Sequence, residues 1–135
     1  MEGTNELLNF TIPQLLRWRV NETGDKVALR EKDFGYWNNY TWNDFYNHVR
    51  KIALGLEKVG VQKGDKLALI GDNIPEMIFM AIGAQSIGAV SAGIYQTTLP
   101  DEIAQLIEYM DVTAVFCDDQ EQVDKFLEIK KGLPK

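Results

Sequence analysis

The chain has 135 residues, a formal net charge of −6 and a single cysteine, Cys117. That length suits one domain with one modest core. The acidic balance argues against a nucleic-acid surface, which needs clustered Lys and Arg, and the lone cysteine excludes an internal disulfide and fits a reducing compartment. The basic pairs Arg50-Lys51 and Lys130-Lys131 lie among acids on helical segments and read as solvated faces.

Residues 1–10 read as a lead-in. Thr11 stands as N-cap of a helix through Asn21, with Gln14 completing a capping box and Phe10 and Leu15 placed as a hydrophobic staple. Gly24-Asp25 turns the chain into a strand over 26–30, where Val27 and Leu29 alternate with Lys26, Ala28 and Arg30. Asp33-Phe34-Gly35 leads back into a strand over 36–40. The charges and aromatics of this hairpin suit a sheet edge. Thr41 opens the longest amphipathic helix, with Asp44 as box partner and Tyr40 and Phe45 as staple. Phe45, Val49, Ile52, Ala53, Leu56 and Val59 keep helical spacing, so one stripe faces a core. Gly60 is the expected left-handed stop, with Val61 reaching back to Leu56.

Lys63-Gly64-Asp65 delivers the chain to residues 66–70, Lys-Leu-Ala-Leu-Ile, which have the length and apolarity of a buried strand. The chain then turns through residues 71–76, with Asn73 expected as N-cap, Glu76 reaching back and Pro75 in the first turn. Residues 77–88 are apolar on nearly every side, the pattern of a helix buried all round. The uncharged run over 77–94 is long enough to raise a membrane span. However, Gln85, Ser86 and Ser91 interrupt it, and glycines at 83, 88 and 93 break it where helix gives way to strand. Nor does a charged start with a short apolar core mark a signal peptide. The chain therefore reads as cytoplasmic, with any membrane contact peripheral.

Residues 89–95 form the second strand of a βαβ unit, against which everything else packs. Thr98 is the expected cap of a helix with Ile103, Leu106, Ile107 and Met110 on one face. Residues 112–117 make a third buried strand. Asp118 or Asp119 caps a last helix carrying Val123, Phe126 and Leu127. The fold class is α/β: a partial doubly wound parallel sheet with flanking helices, right-handed crossovers and an N-terminal β-hairpin. Its organisation is a lead-in (1–10), a helix, hairpin and helix (11–62), and βαβαβα (63–135), stopping where another strand is due.

Open α/β sheets bind ligands at the carboxyl ends of their strands, here residues 71–76, 95–98 and 117–119. The polar residues there are also what helix caps require. Neither G-x-x-x-x-G-K-[ST] nor G-x-G-x-x-G occurs, and close packing of helix on sheet accounts for Gly83, Gly88 and Gly93. Asp72 and Glu76 lie at a helix start, where the dipole favours acids, and no neighbouring His or Cys suggests a metal. His48 neighbours the apolar stripe as a half-exposed surface residue. Cys117 ends an apolar strand as a small buried hydrophobe. Trp18, Trp37, Tyr40, Trp42, Phe45 and Tyr46 suit a core between hairpin and helix.

Three stretches carry a resemblance. Tyr40-Thr41-Trp42 opens a helix ending in Leu56-Glu57-Lys58-Val59-Gly60-Val61. Lys63-Gly64-Asp65-Lys66-Leu67-Ala68-Leu69 is followed by Asn73-Ile74-Pro75-Glu76, and Gly93-Ile94-Tyr95-Gln96-Thr97-Thr98 precedes a helix. In this order they resemble the N-terminal region of AMP-forming acyl-CoA synthetases, the adenylate-forming ligases, from about Thr11 onward. The third run resembles the long-chain fatty acid branch.

The resemblance implies a two-step reaction. ATP, with Mg²⁺, and a fatty acid give an acyl-adenylate and pyrophosphate, and coenzyme A then displaces AMP. The family's phosphate loop, metal-binding acid, ribose-binding aspartate and catalytic lysine do not occur in these 135 residues, so catalysis is expected beyond Lys135. The chain is then expected to be an inactive N-terminal piece whose partners are the rest of its own domain and a C-terminal domain. Its exposed sheet edge is expected to favour self-association. The residues placed nearest a substrate are Asn73, Tyr95, Gln96 and Thr97, with no catalytic residue and no metal ligand. The alternative is a stand-alone binding or interaction module of ligase ancestry.

Overall fold

The computed structural model describes residues 7–133. Most of the expected lead-in, and the last two residues, lie outside that range. The described elements run α1 (Ile12–Thr23), β1 (Val27–Asp33), β2 (Tyr36–Thr41), α2 (Trp42–Lys58), β3 (Lys66–Gly71), α3 (Pro75–Ser86), β4 (Val90–Tyr95), α4 (Pro100–Met110), β5 (Ala114–Cys117) and α5 (Gln120–Ile129), then a 3₁₀ turn (Lys130–Gly132).

The parallel sheet has the order β4-β3-β5, which puts β3 in the middle. That position explains why its sequence is apolar without alternation: both faces are covered, and Leu67, Ala68, Leu69 and Ile70 are all buried. On one face Leu67 and Leu69 meet Ala84 and Met80 of α3. On the other, Ala68 and Ile70 meet Ile103 and Ile107 of α4, with Phe126 of α5 alongside. Helices on both faces make the sheet doubly wound, as expected.

The sheet is only half of what α3 buries. Its opposite side presents Phe79, Ile78 and Ile82 to Leu16 of α1 and to Phe45 and Val49 of α2. A helix pressed between a sheet and two further helices has no solvent stripe, hence its apolar character nearly all round. Gly83 permits the closest approach. A Cβ there would lie 2.6 Å from Ile52 Cγ2 on α2, so this glycine serves helix-on-helix contact, not helix-on-sheet.

α2 ends in a Schellman motif. Gly60 adopts φ +99, its N–H donates to Glu57 O, and the Val61 N–H donates to Leu56 O at 3.0 Å. Val61 packs beside Leu56 in the core. The expected stripe stops there, because Val59 is 78% exposed. At the other end, Thr41 Oγ1 accepts from the Asp44 N–H, and Asp44 Oδ2 accepts from the Thr41 N–H at 2.9 Å. At Thr11 the Gln14 side chain likewise accepts from the Thr11 N–H.

Several expectations need correction. The hairpin is a two-stranded sheet of its own, not an edge of the parallel sheet. Its tight turn places Phe34 at φ 44 and Gly35 at φ 88, the pair of left-handed residues that a two-residue hairpin turn requires. A register shift between Val27 and Leu29 breaks the strict alternation. Val27 therefore faces outward, while both Ala28 and Leu29 join the core. Of the aromatic group, Tyr40, Trp42, Phe45 and Tyr46 pack between hairpin and helices, but Trp37 points to solvent. Leu106 and Leu127 also lie exposed, on the outer flanks of α4 and α5.

The caps of the two middle helices fall one residue later than expected. Ile74, not Asn73, is the N-cap of α3, and Glu76 takes the second helical position. Leu99, not Thr98, is the N-cap of α4. In both cases proline takes the first helical position, Pro75 and Pro100. Its fixed φ and missing N–H suit that position best.

Candidate functional site

A cleft of about 580 Å³ opens at the carboxyl ends of β3 and β4. Parallel pairing aligns Ile70 with Ile94 and Gly71 with Tyr95, so the two strands end level and their loops diverge from one line. Asn73 stands on the β3 side, with Tyr95, Gln96 and Thr97 on the β4 side, and all four line the cleft. Leu69, Met77 and Ile94 supply its apolar floor. Asn73 and Thr97 are exposed and Gln96 is half-buried, while Tyr95 is 84% exposed. Gly93 also lines the cleft, and a Cβ there would meet nothing within 4 Å. Close packing therefore does not account for it.

The third strand end behaves differently. Asp119 caps α5, its carboxylate accepting from the Gln122 N–H at 2.9 Å. Asp118 turns toward β3 instead, and its Oδ2 accepts from the Asp72 N–H at 2.7 Å. The Asp118 carboxylate occupies the space a side chain on Gly71 would take, so the loops after β3 and β5 are clamped together. Among the described residues its Oδ1 is buried without a partner. Asp72 Oδ1 in turn accepts from the Asn73 N–H at 2.7 Å. This carboxylate chain was missed in the sequence because Asp118 and Asp119 are equally good caps by type. Only the glycine at 71 signals that a neighbour comes close.

The cleft combines two amides, a phenol, a hydroxyl and a carboxylate over an apolar floor. It can hold a ligand by hydrogen bonds and burial, but no nucleophile is paired with a base within it. Burial first, then Asp118 and Asp119, push the Cys117 thiol above its ordinary range, which disfavours the nucleophilic thiolate. His48 stacks on Phe79 with ring centres 4.7 Å apart and meets the edge of Tyr40, so it belongs to the aromatic cluster. No three His, Cys, Asp or Glu residues are grouped to hold a metal ion among the described residues. None of their helices is long and apolar enough to cross a membrane.

Residues 16–135 match the family described as AMP-binding enzyme. The long-chain-fatty-acid–CoA ligase of Bos taurus is 34% identical over 125 residues, 92% of this chain and 17% of the relative. That of Homo sapiens is 32% identical over 128 residues, 94% of this chain and 18% of the relative. The chain thus spans less than a fifth of the length of the curated relatives it matches. Among solved structures, the anthranilate CoA ligase AuaEII in complex with anthranoyl-AMP superposes with a TM-score of 0.84 at 20% identity, covering 93% of this chain and 23% of that one. The inhibitor-bound N-terminal domain of FACL13 from Mycobacterium tuberculosis superposes at 0.80 and 22% identity, covering 88% and 29%.

Proposed function

Because the chain belongs to the AMP-binding enzyme family, we propose that it forms the N-terminal part of a long-chain fatty acid–CoA ligase. The observation that carries this reading is the match to fatty acid–CoA ligases along 92–94% of the chain but only 17–18% of theirs. In the whole enzyme, ATP and a fatty acid form an acyl-adenylate, and coenzyme A then takes the acyl group. No glycine-rich phosphate loop occurs in the sequence. Chemistry therefore belongs to other segments, and this part supplies one wall of a binding cleft through Asn73, Tyr95, Gln96 and Thr97. On this reading the chain works in the cytoplasm, and any membrane contact it makes is peripheral.

The remaining partners follow from the sheet. β4 pairs only with β3 among the described residues. Its residues, Val90 to Tyr95, include neither the charge nor the proline that blunts an exposed edge. The rest of the larger domain covers that edge, and without it the chain self-associates.

The test pairs two measurements. An antibody against this chain should detect a native product several times larger than 15.3 kDa. The purified chain should neither exchange pyrophosphate into ATP nor form acyl-CoA. A native product at the size of the chain, or clear activity of the isolated chain, overturns the reading.

A further inference from the structure

Lys125 lies on α5, away from the residues that motif reading picks out, yet its ammonium reaches the cleft wall. Nζ donates to the Gln96 carbonyl at 2.6 Å and to Gln122 Oε1 at 3.4 Å, and it pairs with Glu121 Oε1 at 2.8 Å. An ammonium has three N–H donors, and here each has an oxygen. Its side chain is 21% exposed, and Gln122 is 1% exposed as the buried polar residue of the described core. A flexible lysine held this way has lost the rotamer freedom that surface lysines keep, so the contact is an anchored one.

What it anchors has little other support. Tyr95 and Thr97 project into solvent, and the turn is closed by one backbone bond, from the Thr98 N–H to Tyr95 O at 3.0 Å. No side chain of the turn is held in the core. We propose that Lys125 is a positioning residue for the cleft: by holding the Gln96 carbonyl it fixes the turn after β4, and with it the wall formed by Tyr95, Gln96 and Thr97. Glu121 and Gln122 hold the ammonium in place at its other two donors. The part of this inference that concerns a substrate rests on the ligase reading above; the anchoring itself does not.

Amide hydrogen exchange on the chain tests the anchor. Lys125→Met should speed exchange of the Thr98 amide at least tenfold, with the Leu69 and Ile70 amides of β3 unchanged. Lys125→Arg, which keeps charge and donors, should restore most of the protection. Unchanged exchange at Thr98, an equal rise at every amide, or failure of the arginine to rescue would each overturn the proposal. In the ligase containing this chain, Lys125→Met should raise KM for one substrate about tenfold with kcat within twofold. Faster exchange at Thr98 with KM unchanged would overturn the cleft-wall role. Absence of any ligase activity in the native protein would instead refute the ligase reading.

Discussion

Gly83→Ala sets two physical effects of known size against each other. In an exposed helix the change would stabilise by about 1 kcal/mol, because glycine pays the larger backbone entropy. Here the new methyl would sit 2.6 Å from Ile52 Cγ2 and 3.1 Å from Ile52 Cβ, well inside van der Waals contact. Ile52 is β-branched and has little freedom to move aside within a helix, and forcing such a contact costs roughly 1–3 kcal/mol. The clash should win, for a net loss of about 1 kcal/mol, or a fall in Tm of about 4 °C for a domain of this size. Urea denaturation with and without Ile52→Ala separates the two effects. In the Ile52→Ala background the clash is gone, so Gly83→Ala should stabilise by about 1 kcal/mol and the double-mutant coupling should be about 2 kcal/mol. A more stable Gly83→Ala single variant, or a cost that persists when Ile52→Ala is also present, would refute the helix contact.

Phe45→Ala should cost about 3–5 kcal/mol, since the ring is buried and packs on Phe79 with ring centres 5.1 Å apart. Val59→Ala should stay within about 0.5 kcal/mol, as expected for an exposed site, and equal losses in the denaturation midpoint would show the stripe misassigned. Asn73→Ala and Thr98→Ala should each cost less than about 0.5 kcal/mol, because neither side chain is a cap; losing a cap typically costs about 1 kcal/mol. Hydrogen bonds from the Thr41 hydroxyl and the Thr41 N–H hold the Asp44 carboxyl below its ordinary range. Its stabilising effect is therefore full above the ordinary carboxylate range and is lost as pH falls through the lowered folded value. Asp44→Asn should be less stable than the native chain at pH 7, and the gap should narrow on acidification. A gap of constant size from neutral to acid pH would rule that out. Cys117, its thiol raised by burial, should react with a thiolate-specific reagent more slowly than a free cysteine at pH 8; equal rates would contradict the burial.

The sequence showed the elements clearly because local signals and global packing agree in most of them. The apolar run of β3, the two-sided apolarity of α3 and the glycine stop after α2 each have one physical explanation, and the structure supplies it. Errors arose where a side chain's type fits two jobs. Valine at 59 keeps helical spacing but falls on the C-cap, after the last full turn. Leucines at 106 and 127 share the spacing of buried neighbours, yet the narrow sheet covers only Ile103 and Ile107 fully. Gln122 is polar, so periodicity counts it as surface, although it is buried and its Oε1 accepts from Lys125 at 3.4 Å. Strand order was not legible at all. Nothing local states that β3, first of the parallel strands in the chain, lies between the two that follow it.

The two displaced caps bear most directly on the cleft. Asn and Thr are good caps by type, and on that ground Asn73 and Thr98 read as helix ends. The rule that decided the outcome was also visible: Pro75 and Pro100 fill the first helical position best, which puts the cap one residue before each. Ile74 and Leu99 have no side-chain acceptor to offer. At α4 the Leu99 N–H is instead taken by Glu102 Oε2 at 3.2 Å, a capping box without its threonine half. The asparagine released from α3 then stands exposed on the cleft. A polar side chain that no helix needs, beside an amide and a hydroxyl that also have no cap to fill, is what a ligand wall requires. That release, more than residue type, distinguishes the ends of β3 and β4 from the end of β5, where Asp118 and Asp119 are both committed to the backbone.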